Sequence, residues 1–216
     1  WGLGVFMISA CFFGVALFSS ELPLVFVNPF VRNVLMGLAM GMTAIGIFLS
    51  PWGKRSGSHI NPAVTLTFWR LGKIKNWDAI FYIIFQFIGG TIGVVISWLI
   101  LGKRLSDSMV NFVVTVPNNQ GTSVSFAAEF IISFLMMTMV LVTTNSKRLS
   151  RFTPFLAGFL VFAYISLESP ISGMSMNPAR TFASAVIANS WTAWWVYFTA
   201  PPLAMLSAAD VYVRIK

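Results

Sequence analysis

Most of the chain is made of apolar runs close to the length of a membrane span. A helix needs about 20 mostly apolar residues to cross the hydrocarbon core. Six segments reach or approach that length: Trp1 to Phe18, Phe30 to Ser50, Trp77 to Leu101, Val124 to Thr144, Phe152 to Leu167 and Trp191 to Val213. Only 9% of the residues are charged, where a soluble domain carries roughly 25%. The runs do not alternate apolar with polar residues, as the strands of a membrane barrel do. The sequence therefore predicts an all-α membrane protein with six transmembrane helices. It opens at Trp1, already inside an apolar run, so further residues are expected upstream.

Two more segments read as helices but are too short to cross. One runs from Pro62 to Leu71 and the other from Pro178 to about Ala188. Ten residues of helix rise about 15 Å, half of a core about 30 Å thick. The two stubs begin alike: "SGSHINPAVT" (56–65) and "SGMSMNPART" (172–181) share Asn61-Pro62-Ala63 and Asn177-Pro178-Ala179. Upstream of each, "SACFFG" (9–14) is paired with "AAEFII" (127–132). The expectation is a single membrane domain over 1–216, with repeat halves 1–101 and 124–216 joined by loop 102–123. Each half holds three spans and one stub. Three is odd, so the second half is inverted. Inverted repeats place their site at the repeat interface near the midplane.

The stub starts carry their own chemistry. Pro suits the first position of a helix, where its missing N–H has no partner to lose, and Asn before it is a good N-cap. Each triplet thus starts a helix whose positive dipole end points to the membrane centre. Irregular backbone at that depth is tolerated only where it is buried in protein or lines a wet cavity. Arg180 lies three residues past the second start, and a charge there should face such a cavity. Two GxxxG spacings, Gly37 to Gly41 and Gly89 to Gly93, let helix backbones approach closely.

Basic residues predict the orientation. Lys54, Arg55, Arg70, Lys73, Lys75, Lys147, Arg148, Arg151, Arg214 and Lys216 fall on the side that holds both termini. Arg32, Lys103 and Arg104 fall on the other, with Arg180 set aside. Excess Lys and Arg marks the cytoplasmic side, so both termini are expected there, in a plasma membrane or a bacterial inner membrane.

The chain resembles the aquaporin and aquaglyceroporin family (major intrinsic proteins) over essentially its whole length. The resemblance rests on "SGSHINPAVT", "SGMSMNPAR", "YIIFQFIGGTIG" (82–93), Glu129 in "AAEF", and "WVYF" (195–198) ahead of Pro201. It implies an aquaporin-like fold and a passive water channel that excludes protons and ions. Asn61 and Asn177 would each offer an N–H to a permeating oxygen. Backbone carbonyls of Gly57, Ser58 and His59, and of Gly173, Met174 and Ser175, would form an acceptor ladder. Ile165, Met174 and Arg180 map to the outer constriction, together with Met40 or Gly41. The alternative between those two stays open because "SPWGKR" carries one extra residue. Glu129 would brace the second loop from behind. A homotetramer in a lipid bilayer is implied.

Some positions depart from the family pattern. Strict water channels usually have His where Ile165 stands, which leaves room for glycerol or urea beside water. Thr181, Ala185, Tyr197 and Phe198 lean toward the water type. Cys11 stands where the first half usually has its bracing Glu, and reads as a small buried residue. His59 reads as a neutral residue lining or bracing the first loop. Glu168, at the outer end of the fifth span, is given no role.

One Cys and one His leave no thiolate or imidazole metal cage and no convincing nucleophile with a base. No cofactor, metal or enzymatic activity is expected. No basic stripe with interleaved aromatics suggests nucleic acid. A secondary transporter is the remaining rival, but acidic ligands for a coupling ion are lacking at the expected midplane apart from Glu129.

Overall fold

The computed structural model describes residues 1–215, so Lys216 of the basic set lies outside the described residues. The described chain is helical. The helices are α1 (Gly2–Phe18), α2 (Pro29–Leu49), α3 (Pro51–Ser56), α4 (Pro62–Arg70), α5 (Asn76–Leu101), α6 (Thr122–Thr144), α7 (Thr153–Leu167), α8 (Ser169–Ser172), α9 (Pro178–Ala188) and α10 (Trp194–Ile215). Every span and both stubs of the sequence reading have a counterpart. Among the described residues, four helices are long and apolar enough to cross a membrane: α2, α5 extended through Arg104, α6, and α7 with its preceding turn. α1 is apolar but has 17 residues. α10 has 22 residues, about 33 Å of helix, though Pro201, Pro202 and Asp210 lower its mean hydropathy.

Local chemistry sets several of these boundaries. Asn28 caps α2 by accepting the Phe30 N–H at 2.8 Å, with Pro29 at the first helical position. α2 stops at Leu49 because Pro51 follows Ser50. Ser50 then caps the short α3 by accepting the Gly53 N–H at 2.9 Å. The stretch "SPWGKR" forms this added turn. Gly57 ends α3 at φ +69°, a left-handed conformation that suits glycine.

The packing repeats itself when the two halves are exchanged. α1 packs on α5 as α6 packs on α10, and α1 on α2 as α6 on α7. α4 packs on α10 as α9 packs on α5, and α4 on α5 as α9 on α10. α2 meets its own counterpart α7, and α4 meets α9. This is the pattern of two inverted repeats about a twofold axis. The close approaches use the glycines of the sequence reading. A Cβ at Gly41 would sit 2.6 Å from the Gly158 carbonyl oxygen, and one at Gly93 would sit 2.4 Å from that of Gly4. The outer faces are apolar: Leu99 is 79% exposed and Trp77 is 70% exposed. Such a surface fits lipid rather than water.

Candidate functional site: a cavity between two half-helices

α4 and α9 begin at the same depth, and each start is tied to the other. Asn61 caps α4 with its side-chain oxygen, accepting the Ala63 N–H at 2.9 Å. Its amide nitrogen donates across the interface to the Met176 carbonyl at 2.6 Å. Asn177 mirrors this. Its oxygen accepts from the N–H groups of Ala179 at 3.0 Å and Arg180 at 3.2 Å, and its nitrogen donates to the Ile60 carbonyl at 2.8 Å. A primary amide has two N–H donors, so one per Asn remains beyond this crossed pair. Pro62, Ala63, Pro178 and Ala179 are buried where the half-helices meet.

A cavity of about 630 Å³ passes beside these starts. Asn61 and Asn177 line it, as do Gly57, Ser58 and His59 of the first loop and Gly173, Met174 and Ser175 of the second. Both loops use left-handed backbone: Gly57 (φ +69°) and Ser58 (φ +54°), then Gly173 (φ +84°), Met174 (φ +47°) and Met176 (φ +53°). Non-glycine residues there store strain, which surrounding contacts must hold.

Ile165, Met174 and Arg180 all line the cavity, and of the two candidates on α2 Met40 lines it while Gly41 does not. Gly41 is instead pressed against α7, which corrects its place among the constriction candidates. Met36, one turn before Met40, also lines the cavity and was not singled out from sequence. Its signal was the four-residue spacing of Met36, Met40 and Ala44 on one helical face. Arg180 Nη1 has no hydrogen-bond partner among the described residues.

The second loop is held from behind. Glu129 is fully buried and accepts from the Ser175 N–H at 2.6 Å, the Met176 N–H at 2.7 Å and the Ser172 hydroxyl at 2.8 Å. Tyr197 adds a hydrogen bond from its hydroxyl to the Ser172 carbonyl. The first loop is held differently. Gln86 of α5 donates to the His59 carbonyl at 2.5 Å and to the Thr65 hydroxyl at 3.0 Å. Gln86 stood inside a quoted stretch but carried no assigned role. A lone amide within an apolar span was the available signal.

Cys11 is not the counterpart of Glu129. It is buried in an apolar cluster with Met7, Val94, Ala179 and Ala183. Gly2, at the start of α1, lies against the first loop, where an added Cβ would lie 2.6 Å from Ile60 Cγ2. Pairing "SACFFG" with "AAEFII" therefore puts α1 out of register. His59 lies between the rings of Phe68 and Tyr82, with centroids 5.1 and 5.5 Å away. Glu168 is buried at 8% exposure, and neither carboxylate oxygen has a partner among the described residues. No group of His, Cys, Asp or Glu that could hold a metal occurs among the described residues.

Comparison with known proteins agrees with this architecture. The family model described as "Major intrinsic protein" matches residues 2–212. Aquaporin NIP6-1 of Arabidopsis thaliana is 36% identical over 80% of this chain and 55% of its own length. Aquaporin-8 of Notomys alexis is 34% identical over 78% of this chain and 65% of its own. Aquaporin-4 of Mus musculus is 32% identical over 86% of this chain and 57% of its own. The chain thus spans little more than half to about two thirds of the length of these relatives. The X-ray structure of the aquaglyceroporin from Plasmodium falciparum superposes with a TM-score of 0.81 over 99% of this chain and 92% of that one, at 17% identity. That likeness is one of fold. With the family model covering nearly the whole chain, the protein belongs to the major intrinsic protein family and is an integral membrane protein.

Proposed function

We propose that the chain conducts water passively and excludes protons and ions. The observation that carries this reading is the crossed pair at mid-membrane. Asn61 and Asn177 each spend one amide proton on the opposite loop, and both line the cavity. The second proton of each amide is then the donor for a permeating oxygen. Carbonyls of Gly57, Ser58 and His59, and of Gly173, Met174 and Ser175, serve as acceptors on either side. A water molecule moving past exchanges its bulk hydrogen bonds for these, and Ile165, Met40 and Met174 face it with apolar surface. The positive ends of α4 and α9 and the Arg180 guanidinium oppose cations and protons, as in aquaporin-type selectivity. No coupling ion and no chemical step enter.

The same proposal includes the halves 1–101 and 124–216, with 102–123 as their joint. It includes cytoplasmic termini, a plasma or bacterial inner membrane, and a homotetramer. Stopped-flow light scattering on reconstituted vesicles tests it. Vesicles with protein shrink faster in sucrose than protein-free vesicles. Equal rates would contradict the proposal.

A second reading extends the permeants to small neutral solutes such as glycerol and urea. Its support is Ile165 on the cavity wall, where an imidazole would add a polar contact and take up space. Rapid re-swelling in glycerol after the first shrinkage supports this extension. Absence of re-swelling removes it.

A further inference from the structure

Six of the chain's eleven methionines line one cavity: Met36, Met40, Met136, Met174, Met176 and Met205. Met40, Met136, Met174 and Met176 belong to one packed cluster, with Met36 and Ile165 against it. Their thioethers come from α2, α6, α10 and the second loop, so the concentration is tertiary and not a run in the sequence. Met174 and Met176 flank Ser175, whose backbone N–H is fixed by Glu129. Met40 is fixed in depth by the close approach of Gly37 and Gly41 to α7. The family resemblance assigns positions only to Met40 and Met174 and gives neither sulfur a chemistry.

A thioether is apolar, flexible and oxidisable. Its sulfoxide is polar, and reductases can return it to the thioether. A solute that passes this cavity passes the residues that carry these sulfurs. Hydrogen peroxide is neutral and close to water in size and hydrogen bonding. We propose that the cavity methionines, Met36, Met40, Met174 and Met176 above all, are a site of reversible oxidation by peroxide travelling through the cavity, and that oxidation closes the passage. This rests on the proposed reading of the cavity as a water path. In the step, a sulfur lone pair attacks one peroxide oxygen. The O–O bond breaks, an S–O bond forms, sulfur loses two electrons, and the second oxygen leaves as hydroxide, which takes the proton of the first oxygen to become water. The added oxygen occupies lumen volume. It also puts a strong acceptor on a wall that was apolar, so permeating water is held there.

Reconstituted vesicles are treated with hydrogen peroxide or, separately, with the bulkier tert-butyl hydroperoxide, then digested and weighed. Met109, 55% exposed in the loop between α5 and α6, reports oxidation from the bulk. Hydrogen peroxide is expected to add oxygen at Met36, Met40, Met174 and Met176 as well as at Met109. Among these five residues the bulky peroxide is expected to oxidise Met109 alone. Water permeability falls by at least about twofold after hydrogen peroxide and returns on treatment with methionine sulfoxide reductases. A variant with all four residues changed to Leu keeps the same permeability before and after treatment, whatever its starting value. Cavity methionines that stay reduced while Met109 oxidises would overturn the proposal. So would mapped sulfoxides without loss of flux, or an equal loss in the Leu variant. Flux of untreated vesicles tests the water reading by itself, and the oxidation map does not depend on it.

Discussion

The Glu129 carboxylate accepts the backbone N–H of Ser175 at 2.6 Å from a position sealed from solvent. It holds the Met176 N–H and the Ser172 hydroxyl as well, so three donors converge on two oxygens. Glu129→Gln keeps the shape but turns an NH₂ toward donors. Leaving buried donors unmatched costs about 1–3 kcal/mol. The variant is expected to melt at lower temperature in detergent, followed by circular dichroism, and to carry less water. An unchanged melting temperature would count against the bracing role.

Gln86 is the corresponding hold on the first loop, through His59 and Thr65. These are neutral hydrogen bonds, so Gln86→Leu is expected to cost less than Glu129→Gln, on the order of 1 kcal/mol. Melting curves of the two variants side by side give the order. A larger loss for Gln86→Leu would reverse the assignment of the main brace.

Two glycines of α2 should respond with opposite signs. A Cβ at Gly41 would press to 2.6 Å on the backbone oxygen of Gly158, whereas nothing lies within 4 Å of one at Gly46. Gly41→Ala should destabilise by about 1–3 kcal/mol through overpacking. Gly46→Ala should stabilise by roughly 0.5–1 kcal/mol through helix propensity. Thermal unfolding of both variants checks the pair, and a common sign would show that α2 and α7 are not in this register.

Asp107 ties the loop after α5 to the end of α1. Its carboxylate accepts from the Ser20 hydroxyl at 2.6 Å, the Met109 N–H at 2.9 Å and the Ser20 N–H at 2.8 Å. Those bonds, the Ser20 hydroxyl first, lower its pKa from 3.8 to about 2. The folded value lies below the unfolded one, so the stabilisation is complete above the ordinary carboxylate range. It is lost as pH falls through the folded value. Wild type should therefore lose loop protection in hydrogen exchange across that acid window. Asp107→Ala, already without the tie, should show a flatter profile there. Parallel profiles would remove the tie from the account.

Local chemistry was legible in the sequence, and tertiary register was not. Asn61 and Asn177 could be read as helix starts because a cap and a following Pro are adjacent in the chain, and the second stub begins and ends where expected. The spans were legible because lipid demands length and apolarity. Gln86 and Tyr197 became braces only when α5 and α10 packed behind the loops. The pairing of Cys11 with Glu129 failed because similar apolar runs align at several offsets, and only contact with Ile60 shows that Gly2 lies against the loop. Met40 and Gly41 are neighbours in sequence, yet they point to different partners. A one-residue shift in the preceding count was enough to leave them undecided.

The most direct measurement follows water and protons together. Vesicles carrying the protein and an internal pH dye are exposed first to a sucrose step and then to a pH step. The account predicts water shrinkage well above that of protein-free vesicles, with proton equilibration no faster than theirs. Shrinkage at the protein-free rate, or protons crossing as readily as water, would contradict it.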